Sequence, residues 1–236
     1  MPSPATLSPI LLEVIVESVA DARAAAQGGA DRLEIVRALD VGGLTPPLSL
    51  VREIADAVAL PLRVMVRGNG GYTTNAEERA ALRRDAASLV ACRVDGLVVG
   101  FAEAGRARID DVADVAGAIG DVRLTFHRAF DQLVDPLGAI DGLKEFAPVD
   151  RILTSAGKGS PQDRSARLAA YQRRAGDRIT IIAGGGVNEP MLTEIARTRP
   201  VREVHVGRAA REDLDPSRPV SAARVAHLVE MLRCHR

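Results

Sequence analysis

Eight times along this chain a short run of branched apolar residues gives way to a longer stretch with helical spacing, and few folds accommodate that alternation. The strand runs are Leu11–Val16, Arg32–Val36, Leu62–Arg67, Gly96–Gly100, Arg123–His127, Arg151–Ser155, Ile179–Ala183 and Glu203–Val206. They read as apolar on both faces, as parallel strands covered by helices do. Between them, Val51, Ile54, Ala55 and Val58 recur at helical spacing, behind a Thr45-Pro46 start that predicts an N-cap and a first-turn proline. Thr74 with Glu77 predicts a capping box ahead of Leu82, Ala86 and Leu89. Ile109, Val112, Ala116 and Ile119 form another stripe, as do Val225, Leu228, Val229 and Leu232. Ser160-Pro161 and Asn188 mark two further helix starts.

Eight strand–helix units in 236 residues predict an α/β fold, a single (β/α)8 TIM barrel, for which about 250 residues is typical. The competing fold is an open doubly wound sheet. Its glycine-rich dinucleotide fingerprint is missing after the first strand, where Glu13-Val14-Ile15-Val16-Glu17-Ser18 stands instead. No Pro/Ser-rich run or charge block divides the chain, so one domain is expected over residues 1–236, with a core from about 10 to 232 and a short N-terminal extension.

Apolar residues make up 47% of the chain but aromatics only 3%, so Ala, Val, Leu and Ile must build the core. Lys plus Arg and Asp plus Glu each number 31, with no basic stripe, which argues against a nucleic-acid partner. No apolar segment is long enough to span a bilayer, and the N-terminus lacks the pattern of a secretory signal. Two cysteines, Cys92 and Cys234, supply no disulfide framework, and a cytoplasmic location is expected. Neither belongs to a cluster of soft ligands: Cys92 precedes the fourth strand, on the face opposite the mouth, and Cys234 lies in the C-terminal tail beside His235.

Barrel enzymes place their chemistry at the carboxyl ends of the strands. Here Leu124-Thr125-Phe126 runs into His127, Arg128 and Asp131, three ionisable groups at one strand end. Glu13, Glu34 and His205 lie within strands, Arg67 closes the third, and Thr154 and Ser155 close the sixth. The candidate catalytic set is therefore Glu13, Glu34, Arg67, His127, Arg128 and His205. Each has a plainer use alone, since a Glu in a strand can neutralise an interior Arg and a buried His can be a satisfied core residue. The turns Gly184-Gly185-Gly186 and Gly207-Arg208 follow strands seven and eight, where barrels commonly bind phosphate on exposed N–H groups. Asp131, Ser155, Gly184, Gly185, Gly207 and Arg208 are the candidate substrate-binding residues. Tight βα turns need glycine in any case.

Several of these segments together resemble the CutC copper homeostasis family. They are Gly28-Gly29-Ala30-Asp31-Arg32-Leu33-Glu34, Gly42-Gly43-Leu44-Thr45-Pro46, the block from Leu124 to Asp131, Arg151–Ser155, Ala183–Val187 and Glu203–His205. The matches run in order from about Leu12 to His205. The resemblance implies a cytoplasmic TIM barrel associated with copper handling, with cysteines near the first two strands as proposed ligands. At those places this chain has Ile15, Val16 and Val36; Tyr72 stands where an acidic residue is common, and Val206 where a serine can occur. His127, His205 and Met65 remain as donors, a less selective set for Cu(I) than one with thiolate. Copper as a ligand rests on the resemblance alone.

Two functions follow. One is a CutC-like copper-binding protein without turnover. The other is a barrel enzyme acting on a small phosphorylated or carboxylated anion, with Glu13 or Glu34 as general base, His127 as acid or partner, and Arg67 and Arg128 as clamps. Homo-oligomerisation is left open, as is the choice between lid and contact surface for the charged 208–219 loop.

Overall fold

The computed structural model describes residues 9–117 and 119–233. The N-terminal extension up to residue 8, and Cys234 with His235, lie outside the described residues. Eight parallel strands close into a barrel: β1 Leu11–Val16, β2 Arg32–Ile35, β3 Leu62–Met65, β4 Gly96–Val99, β5 Arg123–Phe126, β6 Val149–Thr154, β7 Thr180–Ala183 and β8 Glu203–Val206. Each strand pairs with its sequence neighbours, and β1 with β8 closes the ring. Among the described residues, eight α-helices cover the outside: α1 Val19–Gln27, α2 Leu48–Ala57, α3 Ala76–Val90, α4 Ile109–Ala116, α5 Pro136–Glu145, α6 Pro161–Ala175, α7 Glu189–Thr198 and α8 Ala222–Arg233. A short hairpin, 102–103 with 106–107, decorates the loop after β4.

The strands are not apolar on both faces. Alternate residues such as Leu12, Val14, Leu33, Val64 and Val204 pack outward under the helices, fully buried. The residues between them are Glu13, Arg32, Glu34, Arg63, Glu203 and His205, all at least 93% buried and joined by ion pairs inside the ring. Arg32 pairs with both Glu13 and Glu203, and Arg151 continues the chain to Glu203 at 2.9 Å. Arg63 reaches Asp150 at 2.9 Å, from β3 to β6, three strands round the barrel. The interior floor is thus an ionic lattice. Its members compensate one another's desolvation, which no isolated buried charge could survive.

Two predicted helix starts are borne out: Ser160 and Asp163 form a reciprocal capping box on α6, and the Asn188 side chain accepts the Met191 N–H on α7. Two others shift. Helix α2 begins at Leu48 behind Pro47, because the Thr45 hydroxyl is taken by the Arg67 backbone N–H at 2.8 Å. Helix α3 is capped by Asn75, which accepts the Glu78 N–H at 2.9 Å, rather than by Thr74. Among the described residues, no helix is long and apolar enough to cross a membrane.

Candidate active site

The carboxyl ends of the strands open into a cavity of about 700 Å³. Its polar wall brings together Glu34, Arg67, His127, Arg128, His205 and Arg208 from the predicted set. Met65, Ile15 and Val36 form an apolar stretch of the same wall, and Leu214 and Pro216 reach it from the 208–219 loop. That loop is anchored beneath by Arg211, which is 2% exposed and pairs with Glu17 and Asp21.

At one side stands a carboxylate–imidazole–carboxylate row. Register places Glu13 opposite both His205 on β8 and Arg32 on β2, with Glu34 two residues farther along β2. His205 Nδ1 lies 2.7 Å from Glu13 Oε1, and its Nε2 lies 3.3 Å from Glu34 Oε2. Burial raises the Glu13 carboxyl, but the Arg32 guanidinium and the His205 hydrogen bond overcome this and hold it well below the usual range. Glu13 is therefore a fixed anion. Glu34 has no guanidinium bonded to it: burial pushes its carboxyl up to about 7, against the pull of His205. For His205, burial pushes the pKa down, but Glu34 and Glu13 more than reverse that and raise it. Glu34 Oε1 is buried with no hydrogen-bond partner among the described residues.

His127, on the far side, is 3% exposed. It follows β5, which lies three strands from both β2 and β8. Its ring fills the space over Gly100, where a Cβ would come within 2.8 Å of Nδ1. Burial, and after it the Arg67 charge, lower its pKa to about 3. Tyr72 meets the ring edge-on at 5.5 Å, and the Arg67 guanidinium sits 4.8 Å over the Tyr72 ring.

Arg67, a candidate clamp, lines the cavity, and its guanidinium donates to the carbonyls of Gly71 at 3.2 Å, Gly70 at 2.6 Å, Gly42 at 3.2 Å and Gly43 at 3.4 Å. That ties together the loops after β2 and β3. The free guanidinium groups are elsewhere. Arg128 binds Asp131 through Nε at 3.0 Å, and its terminal nitrogens make no hydrogen bond among the described residues. The Arg208 guanidinium, on the same cavity wall, makes none either among the described residues.

Asp131 and Ser155 sit behind the wall. Asp131 accepts the Thr154 hydroxyl at 2.6 Å and the Ser155 N–H at 3.0 Å, bracing the β5 and β6 ends together. Gly184 donates its N–H to the Thr154 carbonyl. Gly185 and Gly207 do line the cavity, and among the described residues no protein acceptor takes their N–H groups. Gly185 has a φ of +71°, and a Cβ there would lie 2.7 Å from Arg128 Nε, so only glycine fits. Arg164, which the sequence did not single out, holds this turn by donating to the Gly185 carbonyl at 2.9 Å and the Ser155 carbonyl at 2.8 Å. Two carboxylates share the rim: Asp40, and Glu189, which pairs with Arg224 at 3.2 Å.

Glu13, Glu34 and His205 offer ligand atoms within 4.8 Å of one another. Arg32 already occupies Glu13, so this trio carries its own cation. Cys92 lies in the turn between α3 and β4, away from the mouth.

The family model described as "CutC family" matches residues 10–210. A relative named family protein CutC from Mesorhizobium japonicum is 36% identical over 198 residues, covering 83% of this chain and 76% of its own. Another of that name, from Caulobacter vibrioides, is 36% identical over 201 residues, covering 83% and 80%. A solved CutC from Streptococcus agalactiae, a copper homeostasis protein by name, superposes with a TM-score of 0.77 at 26% identity, over 83% of this chain and 97% of that one. Phosphoribosylanthranilate isomerase from Thermotoga maritima, at 11% identity and a TM-score of 0.60 over 95% and 99%, shares the fold alone.

Proposed function

This chain belongs to the CutC family, and from that footing we propose that its barrel mouth binds a small anionic molecule and exchanges a proton with it through Glu34. One observation carries the reading: a buried carboxyl oxygen without a partner, on the wall of a cavity, belonging to a group that titrates near neutrality. Glu13 is the wrong member of the pair for a base, because its charge is held by Arg32 and His205. It acts as the positioning residue. By accepting from His205 Nδ1, it turns Nε2 toward Glu34, so a proton on Glu34 can be shared with the imidazole and returned.

The anion is held by Arg128 and Arg208 with the N–H groups of Gly185 and Gly207, a mixture of fixed dipoles and free charge suited to a carboxylate or phosphate. Arg67 acts on the ligand only indirectly, through the loops it ties.

Copper fits this donor set less well. Both nitrogens of His205 face carboxylates, leaving the His127 imidazole and the Met65 thioether as the soft donors on the cavity wall, with no thiolate among its described residues. Cu(I) selectivity normally draws on thiolate or several thioethers.

Thermal-shift screening with inorganic phosphate and small carboxylates tests the reading. Stabilisation of the wild type that weakens about tenfold or more in Arg128→Ala and Arg208→Ala is expected. Binding unaffected in both variants would remove the anion site. Glu34→Gln should keep the affinity and abolish solvent-proton exchange into the bound molecule.

A further inference from the structure

Resting on that reading, we propose that the ligand is a small carbonyl compound and that His127 donates a hydrogen bond from Nε2–H to its carbonyl oxygen. The backbone decides the tautomer. His127 caps the short turn at 128–132, and its Nδ1 accepts the Ala129 N–H at 3.1 Å. A ring nitrogen that accepts carries no proton, so in the neutral ring the proton sits on Nε2. The ring stays neutral, because burial and then the Arg67 charge disfavour imidazolium. Nε2 is itself buried and has no hydrogen-bond partner among the described residues, although His127 lines the cavity. The Tyr72 ring beside it supplies at most a weak π contact. A buried N–H left this way calls for an acceptor oxygen.

The chemistry this permits is proton transfer beside the carbonyl. The proton leaves the adjacent carbon for the Glu34 carboxylate, and the C–H electron pair becomes a C=C bond. The carbonyl π pair moves onto oxygen, where the His127 hydrogen bond strengthens as charge develops. Returning the proton to the same carbon, from either face, restores the carbonyl and completes the cycle without any co-reactant. His127 and Glu34, three strands apart round the mouth, line the same cavity. A neutral donor suits this role, since an imidazolium would surrender its proton to the oxygen instead of polarising it.

The test uses the whole protein with 15N-labelled histidine, inorganic phosphate and three matched pairs: pyruvate with lactate, 2-oxoglutarate with 2-hydroxyglutarate, and dihydroxyacetone phosphate with glycerol 3-phosphate. The free protein at neutral pH should show His127 as the Nε2–H tautomer. At least one ketone should bind fivefold or more tighter than its alcohol and shift the His127 Nε2–H resonance. His127→Asn, which keeps a capping acceptor for Ala129 and withdraws the donor, should erase that preference while phosphate still binds. A protonated Nδ1 in the free protein, or no pair reaching fivefold, overturns the proposal, and the wild-type measurement stands even if the variant does not fold. Phosphate binding that depends on Arg128 without any ketone preference sinks this inference alone. Failure of phosphate and all six anions to bind sinks the anion reading with it.

Discussion

His205 Nε2 lies 3.3 Å from Glu34 Oε2, while the other oxygen of Glu34 has no partner among the described residues. The two sides of this carboxyl have different duties: one is oriented by the imidazole, the other is left for whatever enters the cavity. The asymmetry arises because Arg32 bonds Glu13 and Glu203 and makes no hydrogen bond to Glu34.

That arrangement makes stability depend on pH. The folded pKa of Glu34, about 7, lies above its unfolded value near 4.5, so the folded state holds the proton more tightly. The associated stability is fully present below pH 4.5 and is lost as pH rises through about 7. Glu34→Gln should flatten this slope, whose ceiling is on the order of 3 kcal/mol. Urea midpoints from pH 4.5 to 8 measure it, and an unchanged slope would show that Glu34 titrates normally.

Arg32 should be the most costly single ion to remove. Arg32→Met leaves Glu13 and Glu203 buried without their shared cation, at about 3–5 kcal/mol. Adding Glu13→Gln to the variant should recover part of that loss. A double-mutant cycle by chemical denaturation gives the coupling, and additive losses would contradict the lattice.

Arg67→Lys should keep the charge and release the loops. One ammonium cannot reach the four carbonyls that the guanidinium spans. Hydrogen exchange at residues 42–43 and 70–71 is expected to accelerate at least tenfold, with a stability loss of about 2 kcal/mol. Protection equal to wild type would return Arg67 to the list of substrate ligands.

Copper binding should be weak and independent of cysteine. Titration with Cu(I) against a competing chelator is expected to give the same result for wild type and Cys92→Ser/Cys234→Ser. Tight binding lost in that variant would restore a thiolate role that neither Cys92 nor any residue at the mouth now suggests.

The eight strands were legible because branched apolar runs and helical stripes are local patterns, and the caps at Ser160 and Asn188 were legible for the same reason. Thr45 and Thr74 misled, since local spacing does not reveal that a backbone N–H from residue 67 claims one hydroxyl or that Asn75 is the better cap. Alternation of charge within the strands, as in Arg32-Leu33-Glu34-Ile35, was visible and carried more meaning than its apolar average suggested: it places the ions inside the ring.

By itself, then, the amino-acid order determined the barrel, the family, and which strand ends bear ionisable groups. What each group does was decided by contacts far apart in the chain. Glu13 meets His205 across 192 positions and becomes a fixed anion, whereas Glu34, two residues from Arg32 and on the same strand, keeps a proton near neutrality. Arg67 is drawn to loop carbonyls, while Arg128 is held by Asp131 at Nε alone among the described residues. The physical reason is that a buried charge takes its pKa and its role from its nearest partners and its desolvation, and both come into being only when the ring closes.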